Sequence, residues 1–202
     1  ITSNSHMKKT TAGTSLAGEY LMDGPRGVHT GIRLSNDHHF LFFYSQAGVE
    51  RTARGSWYQQ DEDTLVLDTG TPPGDDFALT EERLLYGSDI RVGVQAENPV
   101  LHTHVLCRIE GGGRSQQLRG SRNGVFTFSP QSVEAITLVF DYCPEKKTVF
   151  KPLHAFNQFD FHFQPWIMDV YFRHWQLQLH GRSLKGSHPL LNGDQWSFKP
   201  AG

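Results

Sequence analysis

The sequence predicts an all-β fold, an antiparallel meander that forms a barrel or half-barrel and carries a small β-sandwich. Over residues 28–68, apolar β-formers alternate with polar residues and reverse direction at clusters of turn residues, which is the pattern of half-buried strands. Twenty glycines, ten prolines and fourteen phenylalanines break the chain into short segments suited to strands and tight turns rather than helices. At 202 residues the chain is long enough for one large β domain or two small ones, and two units are expected.

The first strand is expected over 17–21, and Asp23-Gly24-Pro25-Arg26-Gly27 turns the chain. Val28, Thr30, Ile32 and Leu34 then alternate with His29, Gly31 and Arg33. Residues 40–44, Phe-Leu-Phe-Phe-Tyr, are apolar on both faces, so this strand is expected to be covered on both sides. After Ala47-Gly48, residues 51–58 place Ala53, Gly55 and Trp57 on one face, and the acidic turn at Asp61-Glu62-Asp63 leads into Leu65-Val66-Leu67. Strands joined in this order make an up-and-down meander.

Leu34, Phe40, Phe42, Gly48, Gly55, Trp57, Leu65 and Leu67 together resemble the pattern of small bacterial lipocalin-like proteins, in which an aromatic strand is followed by a Gly-x-Trp strand and a short apolar strand. The resemblance implies a barrel enclosing a ligand or a packed core. It also implies a periplasmic or secreted setting. The expected ligand is small and apolar, lined by Ile32, Leu41, Phe43, Trp57 and Leu67.

A lipocalin-like barrel does not need the hundred or so residues that follow. Strands are expected at 77–79 and 90–95, and the Glu97-Asn98-Pro99 break opens a second series at 100–109, 116–118, 125–128, 136–142, 148–150 and 156–163. Their number and spacing resemble a transthyretin-like or immunoglobulin-like sandwich. Strands at 170–179 and 195–199 are expected to return to the first sheet. The predicted organisation is therefore a tag remnant and leading segment over 1–15, a barrel over 16–97 plus 166–202, and an inserted sandwich over 98–165.

Nineteen basic against twenty-one acidic residues give a formal charge of -2, without the basic excess that phosphate-backbone binding needs, so nucleic acid is not an expected partner. Ile1 to Met7 read as a vector-derived remnant, which sets His6 aside as a site residue. No run of about 18 apolar residues occurs, so no membrane-spanning helix is expected. Cys107 falls on the apolar face of its strand, whereas Cys143 lies on the opposite face or in the turn before Pro144; a bridge between them requires the chain to bend there.

The sharpest catalytic motif is Asp68-Thr69-Gly70 at the end of an apolar strand, as in aspartic proteases. That chemistry needs two carboxylates sharing a proton, and no second copy of the motif exists, so Asp68 could serve only in a homodimer; a strand-exit turn is the competing account. His102 and His104, two apart on an expected strand, would share a face in a metal-ligand geometry, against which Arg108 and a solvated strand face weigh. The triple glycine at 111–113 lacks the following Lys-Ser/Thr and helix of a phosphate loop. The aromatic residues between Phe156 and Trp175 are a candidate lining for a carbohydrate or lipid site, but packing is the expected role: Phe159, Phe161 and Phe163 fit one buried strand face, and the rings around Pro165-Trp166 fit the junction of the two units. A non-enzymatic binding or interaction protein without a cofactor is the expected function, with a dimeric aspartic-type hydrolase and a structural protein-protein module as alternatives.

Overall fold

The computed structural model describes residues 15–202. The leading segment expected over 1–15 lies, apart from Ser15, outside the described residues. The first five strands, β1 (Gly18–Met22), β2 (Val28–Leu34), β3 (His39–Gln46), β4 (Val49–Gln59) and β5 (Thr64–Asp68), pair antiparallel in sequence order. The β3–β4 hairpin turns on Ala47 and Gly48, both at positive φ (50° and 80°), as a two-residue turn matched to strand twist demands.

The chain then leaves this sheet and builds eight strands, β6 (Phe77–Arg83), β7 (Ile90–Gln95), β8 (Val105–Gly111), β9 (Arg114–Arg119), β10 (Val125–Phe128), β11 (Ala135–Phe140), β12 (Thr148–Phe150) and β13 (Gln158–Phe163). They form two four-stranded sheets, ordered β10-β7-β13-β6 and β12-β11-β8-β9; the β7–β13 pair is parallel and the other pairs are antiparallel. Alternate residues of both sheets meet in one core: Val92, Phe126 and Phe159 from the first sheet face Cys107, Ile136 and Phe140 from the second. This is a sandwich.

The chain returns with β14 (Trp175–His180), β15 (Ser183–Gly186) and β16 (Trp196–Pro200). β14 pairs with β5 and β16 pairs with β1, which closes an eight-stranded antiparallel barrel and leaves no free edge. With the intervening segment removed, barrel neighbours are also sequence neighbours, an up-and-down order.

Phe42 stands near the centre of the barrel core. Its ring centroid lies 5.8 Å from that of Trp175 and 5.3 Å from that of His188, and Phe198 packs against both Trp175 (5.7 Å) and His188 (6.1 Å). These are contact distances for aromatic pairs, so rings fill this part of the interior. Ile32, Trp57 and Leu67 belong to the same packed cluster. Leu41 and Phe43 do not: they alternate with Phe40 and Phe42 and lie on the other face of β3, where Phe43 packs over Gly31. The five residues expected to line one cavity are therefore divided between two faces.

Two further expectations are corrected by the strand pairing, and one strand is added. β6 and β7 belong to the sandwich and not to the barrel, so the insertion begins by Phe77 rather than at 98; their apolar faces fit either core, and alternation does not say which. The strand expected from 100 starts at Val105, because Asn98 caps a short 3-10 helix, Pro99–His104, with its side chain accepting from the Val100 amide. β15 was not anticipated, its four residues being too few and too polar to show a period.

Gly55 of the Gly-x-Trp strand lies against the backbone at the end of β5. A Cβ there would sit 2.0 Å from the Asp68 carbonyl oxygen and 2.8 Å from the Thr69 Cα. Gly55→Ala is expected to force β4 and β5 apart and to destabilise the protein by on the order of 2 kcal/mol, read as a lower urea midpoint with an unchanged slope.

Candidate functional site

The inner face of β4 carries Arg51, Ala53 and Trp57, so at one end of the barrel an arginine takes a position of the buried face. Arg51 is only 3% exposed. Its Nε donates to the Met168 carbonyl (3.1 Å), its Nη2 donates to the Asp169 carbonyl (3.4 Å), and it pairs with Glu145 at 2.5 Å. Lys146, next in the chain, donates to the Ile167 and Asp169 carbonyls (2.7 and 3.2 Å) and to Asp76 (3.1 Å). Burial pushes the Asp76 carboxyl up from its usual range, and the Lys146 ammonium opposes that shift. The two cations thus hold the strap 167–169 from opposite units.

Above this network lies a cleft of about 620 Å³. Its floor is the mouth of the barrel, where Tyr44 is directly opposite Arg51 across the β3–β4 ladder and Gln46 is opposite Val49. The sandwich supplies one wall through His104, Asp141, Tyr142 and Glu145, and the loop before β16 supplies another through Pro189, Leu190 and Leu191. Asp141 pairs with Arg119, and its carboxylate lies 3.8 Å from His104 Nδ1. The Tyr142 hydroxyl is 3.1 Å from His104 Nε2, and the two rings are 4.5 Å apart. Tyr44 donates its hydroxyl to Gln46 Oε1 (2.7 Å).

His188 joins this cleft to the barrel core. Its Nδ1 accepts from the Leu190 amide (3.0 Å), and its Nε2 lies 3.0 Å from Thr30 Oγ1. Because the Thr30 hydroxyl donates to the Phe43 carbonyl (2.8 Å), Nε2 must be the donor to Thr30, which sets a neutral ring protonated at Nε2. Burial lowers its pKa from 6.5 to about 4.

The residues singled out from the sequence lie elsewhere. Asp68 Oδ1 accepts from the Gly70 amide (2.7 Å) and pairs with Arg173 (2.7 Å), and these contacts pull its pKa down; the hydrogen bond to Gly70 is the larger cause. Beside it, Thr69 Oγ1 accepts from the Phe172 amide and its backbone N–H donates to the Phe172 carbonyl (2.9 and 3.0 Å). Asp-Thr-Gly therefore clasps the outgoing and returning chains at the base of the insertion.

His102 is buried with both ring nitrogens engaged: Nδ1 donates to the Arg122 carbonyl (2.8 Å) and Nε2 accepts from the Ala96 amide (2.9 Å). His104 points into the cleft instead, because the 3-10 helix does not share the two-residue period of a strand. Among the described residues no three His, Cys, Asp or Glu side chains are grouped as metal ligands. Cys107 and Cys143 are both buried and free; the Cys143 thiol donates to the Ile167 carbonyl (3.0 Å), and burial raises its pKa to about 11. Arg51 was legible only as an arginine on the buried parity of β4, and the loop residues of the cleft carried no local signal.

No protein-family description, curated protein or solved structure matches this chain.

Two outcomes follow from these geometries. Arg51→Met leaves the Met168 carbonyl without its donor and the Asp169 carbonyl with Lys146 alone, and is expected to cost about 2–3 kcal/mol in urea unfolding, whereas Glu145→Gln, on the open side of the pair and still offering an acceptor oxygen, costs less than about 1 kcal/mol. An unfolded chain takes up a proton on His188 near pH 6.5, while the folded one resists until about pH 4. The stability this group contributes is present above pH 6.5 and falls with pH, by on the order of 3 kcal/mol once pH 4 is passed. The stability difference between wild type and His188→Gln, measured by denaturant titration at a series of pH values, is expected to shrink across that window.

Proposed function

We propose that the protein is a non-enzymatic binding protein that holds a small molecule in the mouth of its barrel, between barrel and sandwich. The observation that carries this reading is the cleft of about 620 Å³ whose floor and walls come from both units. Its size is that of a small-molecule site, and barrel mouths and unit interfaces are where such sites concentrate. The packed rings around Phe42 disfavour the barrel interior as the place for a ligand. The walls of the cleft are pre-formed: Arg51 and Lys146 hold the strap beneath it, and His188 holds the Leu190 backbone.

In the same reading the barrel is lipocalin-like, supported by eight antiparallel strands in up-and-down order, and the insertion is a transthyretin-like or immunoglobulin-like sandwich, supported by its two facing sheets. The dimeric hydrolase is the weaker reading. Arg173 and the Gly70 amide favour an ionised Asp68, whereas a shared-proton dyad needs one carboxyl held protonated.

Leu190→Trp places an indole in the cleft and tests the proposal. Thermal unfolding of wild type and variant is followed with glucose, hexadecanoate, inorganic phosphate and spermidine as probes of four chemistries. At least one probe is expected to raise the wild-type midpoint by a few degrees while leaving the variant unmoved. A wild-type protein shifted by none of them, or a shift preserved in the variant, overturns the assignment.

A further inference from the structure

We infer that the ligand of this cleft is a neutral carbohydrate, a sugar ring or short oligosaccharide; the inference rests on the binding reading above and names the chemistry of its ligand.

Charge narrows the choice first. The ionised groups that line the cleft are compensated: Arg51 and Glu145 pair with each other, and Asp141 pairs with Arg119, which stands outside the lining. An anionic ligand would find a guanidinium already committed to a carboxylate and to two backbone carbonyls. A cationic one would find carboxylates already neutralised. Selectivity for a charged ligand needs an uncompensated partner of opposite sign, and this pairing leaves a cleft without net charge in which polar groups alternate with apolar ones such as Val49, Pro189 and Leu191.

The ring faces narrow it further. Tyr44 comes from the barrel and Tyr142 from the sandwich, and both are partly exposed and line the cleft from different units. Their hydroxyls are tied down, one on Gln46 and the other against His104, so the rings are held at little further entropic cost. With His104 packed on Tyr142 and His188 beside Tyr44, each tyrosine keeps partly exposed aromatic surface next to a polar hydroxyl, the two characters that the CH face and hydroxyl rim of a pyranose present together.

Hydrogen bonding supplies the third constraint. Each sugar hydroxyl donates and accepts at once. Asp141 and Glu145, each held by one guanidinium, keep lone pairs that can accept from hydroxyls, while Gln46, whose Oε1 is occupied by Tyr44, keeps its NH₂ as a donor. Fixed acceptors and donors side by side match adjacent hydroxyls. A purely apolar ligand would instead strip water from these groups and return no hydrogen bond, at a cost of at least about 1–3 kcal/mol for each group left unpaired.

The test is calorimetric titration of the full chain with maltotriose, cellotriose and triacetylchitotriose, and with hexadecanoate, inorganic phosphate and spermidine as contrasts. At least one saccharide is expected to bind saturably with a Kd of about 1 mM or tighter. Tyr44→Ala and Asp141→Asn are each expected to weaken that binding by about tenfold. Gln46→Ala, at an exposed rim position, is expected to weaken it without altering the thermal midpoint, so a variant that folds poorly does not decide the matter. Saccharide binding that all three substitutions leave intact overturns the inference, as does the absence of saccharide binding up to about 10 mM. If hexadecanoate or a charged probe binds and Leu190→Trp abolishes it, the carbohydrate inference falls and the binding reading stands. If no probe depends on Leu190, both fall.

Discussion

Arg51 ties the barrel to its insertion. The guanidinium emerges from the inner face of a barrel strand and donates to the Glu145 carboxylate of the sandwich and to the carbonyls of Met168 and Asp169 on the returning strap. A buried cation of this kind is held by its acceptors, since stripping it of water is costly and each buried carbonyl that loses its donor is left desolvated, while Glu145 balances the charge from the open side. Lys146 repeats the arrangement from the sandwich side, with Asp76 and the Ile167 and Asp169 carbonyls. The strap is held from both units, and the cleft above it depends on that.

The topology makes such a tie necessary. An eight-stranded up-and-down barrel is complete without the insertion, and the eight inserted strands form two sheets with a core of their own. Two covalent crossings, at 69–76 and 164–174, join the units. At the base, Asp68 and Thr69 clasp the two crossings to one another through Arg173 and Phe172. The motif that resembled a protease signature thus has a mechanical role, and its carboxylate is spent on a turn amide and a guanidinium.

Much of the fold was legible. Alternation located β1 to β5, but the two-sided apolarity of β3 did not say which face was the interior, and the outward residues Leu41 and Phe43 are only half-buried. Phe40 and Phe42 point inward, whereas Leu41 and Phe43 point outward, and a strand apolar on both sides has no polar residue to break the tie. The same ambiguity misassigned β6 and β7, whose alternation is satisfied equally by either core. His102 and His104 do not share a strand face, for a local reason: Asn98 and Pro99 favour a helical start, and one 3-10 turn destroys a period of two.

By itself the sequence determined what short-range chemistry can encode: strand propensity, turn positions such as Ala47-Gly48 and the all-β class. Only the tertiary structure decided which face of β3 lines the barrel, which unit owns β6 and β7, and that Tyr44, Tyr142 and Leu190 meet around one cleft. The reason is physical. Alternation reports that a face is buried but not against what, and residues 44, 142 and 190 are brought together by barrel closure and by the Arg51 network, contacts whose partners lie about a hundred residues apart in the chain.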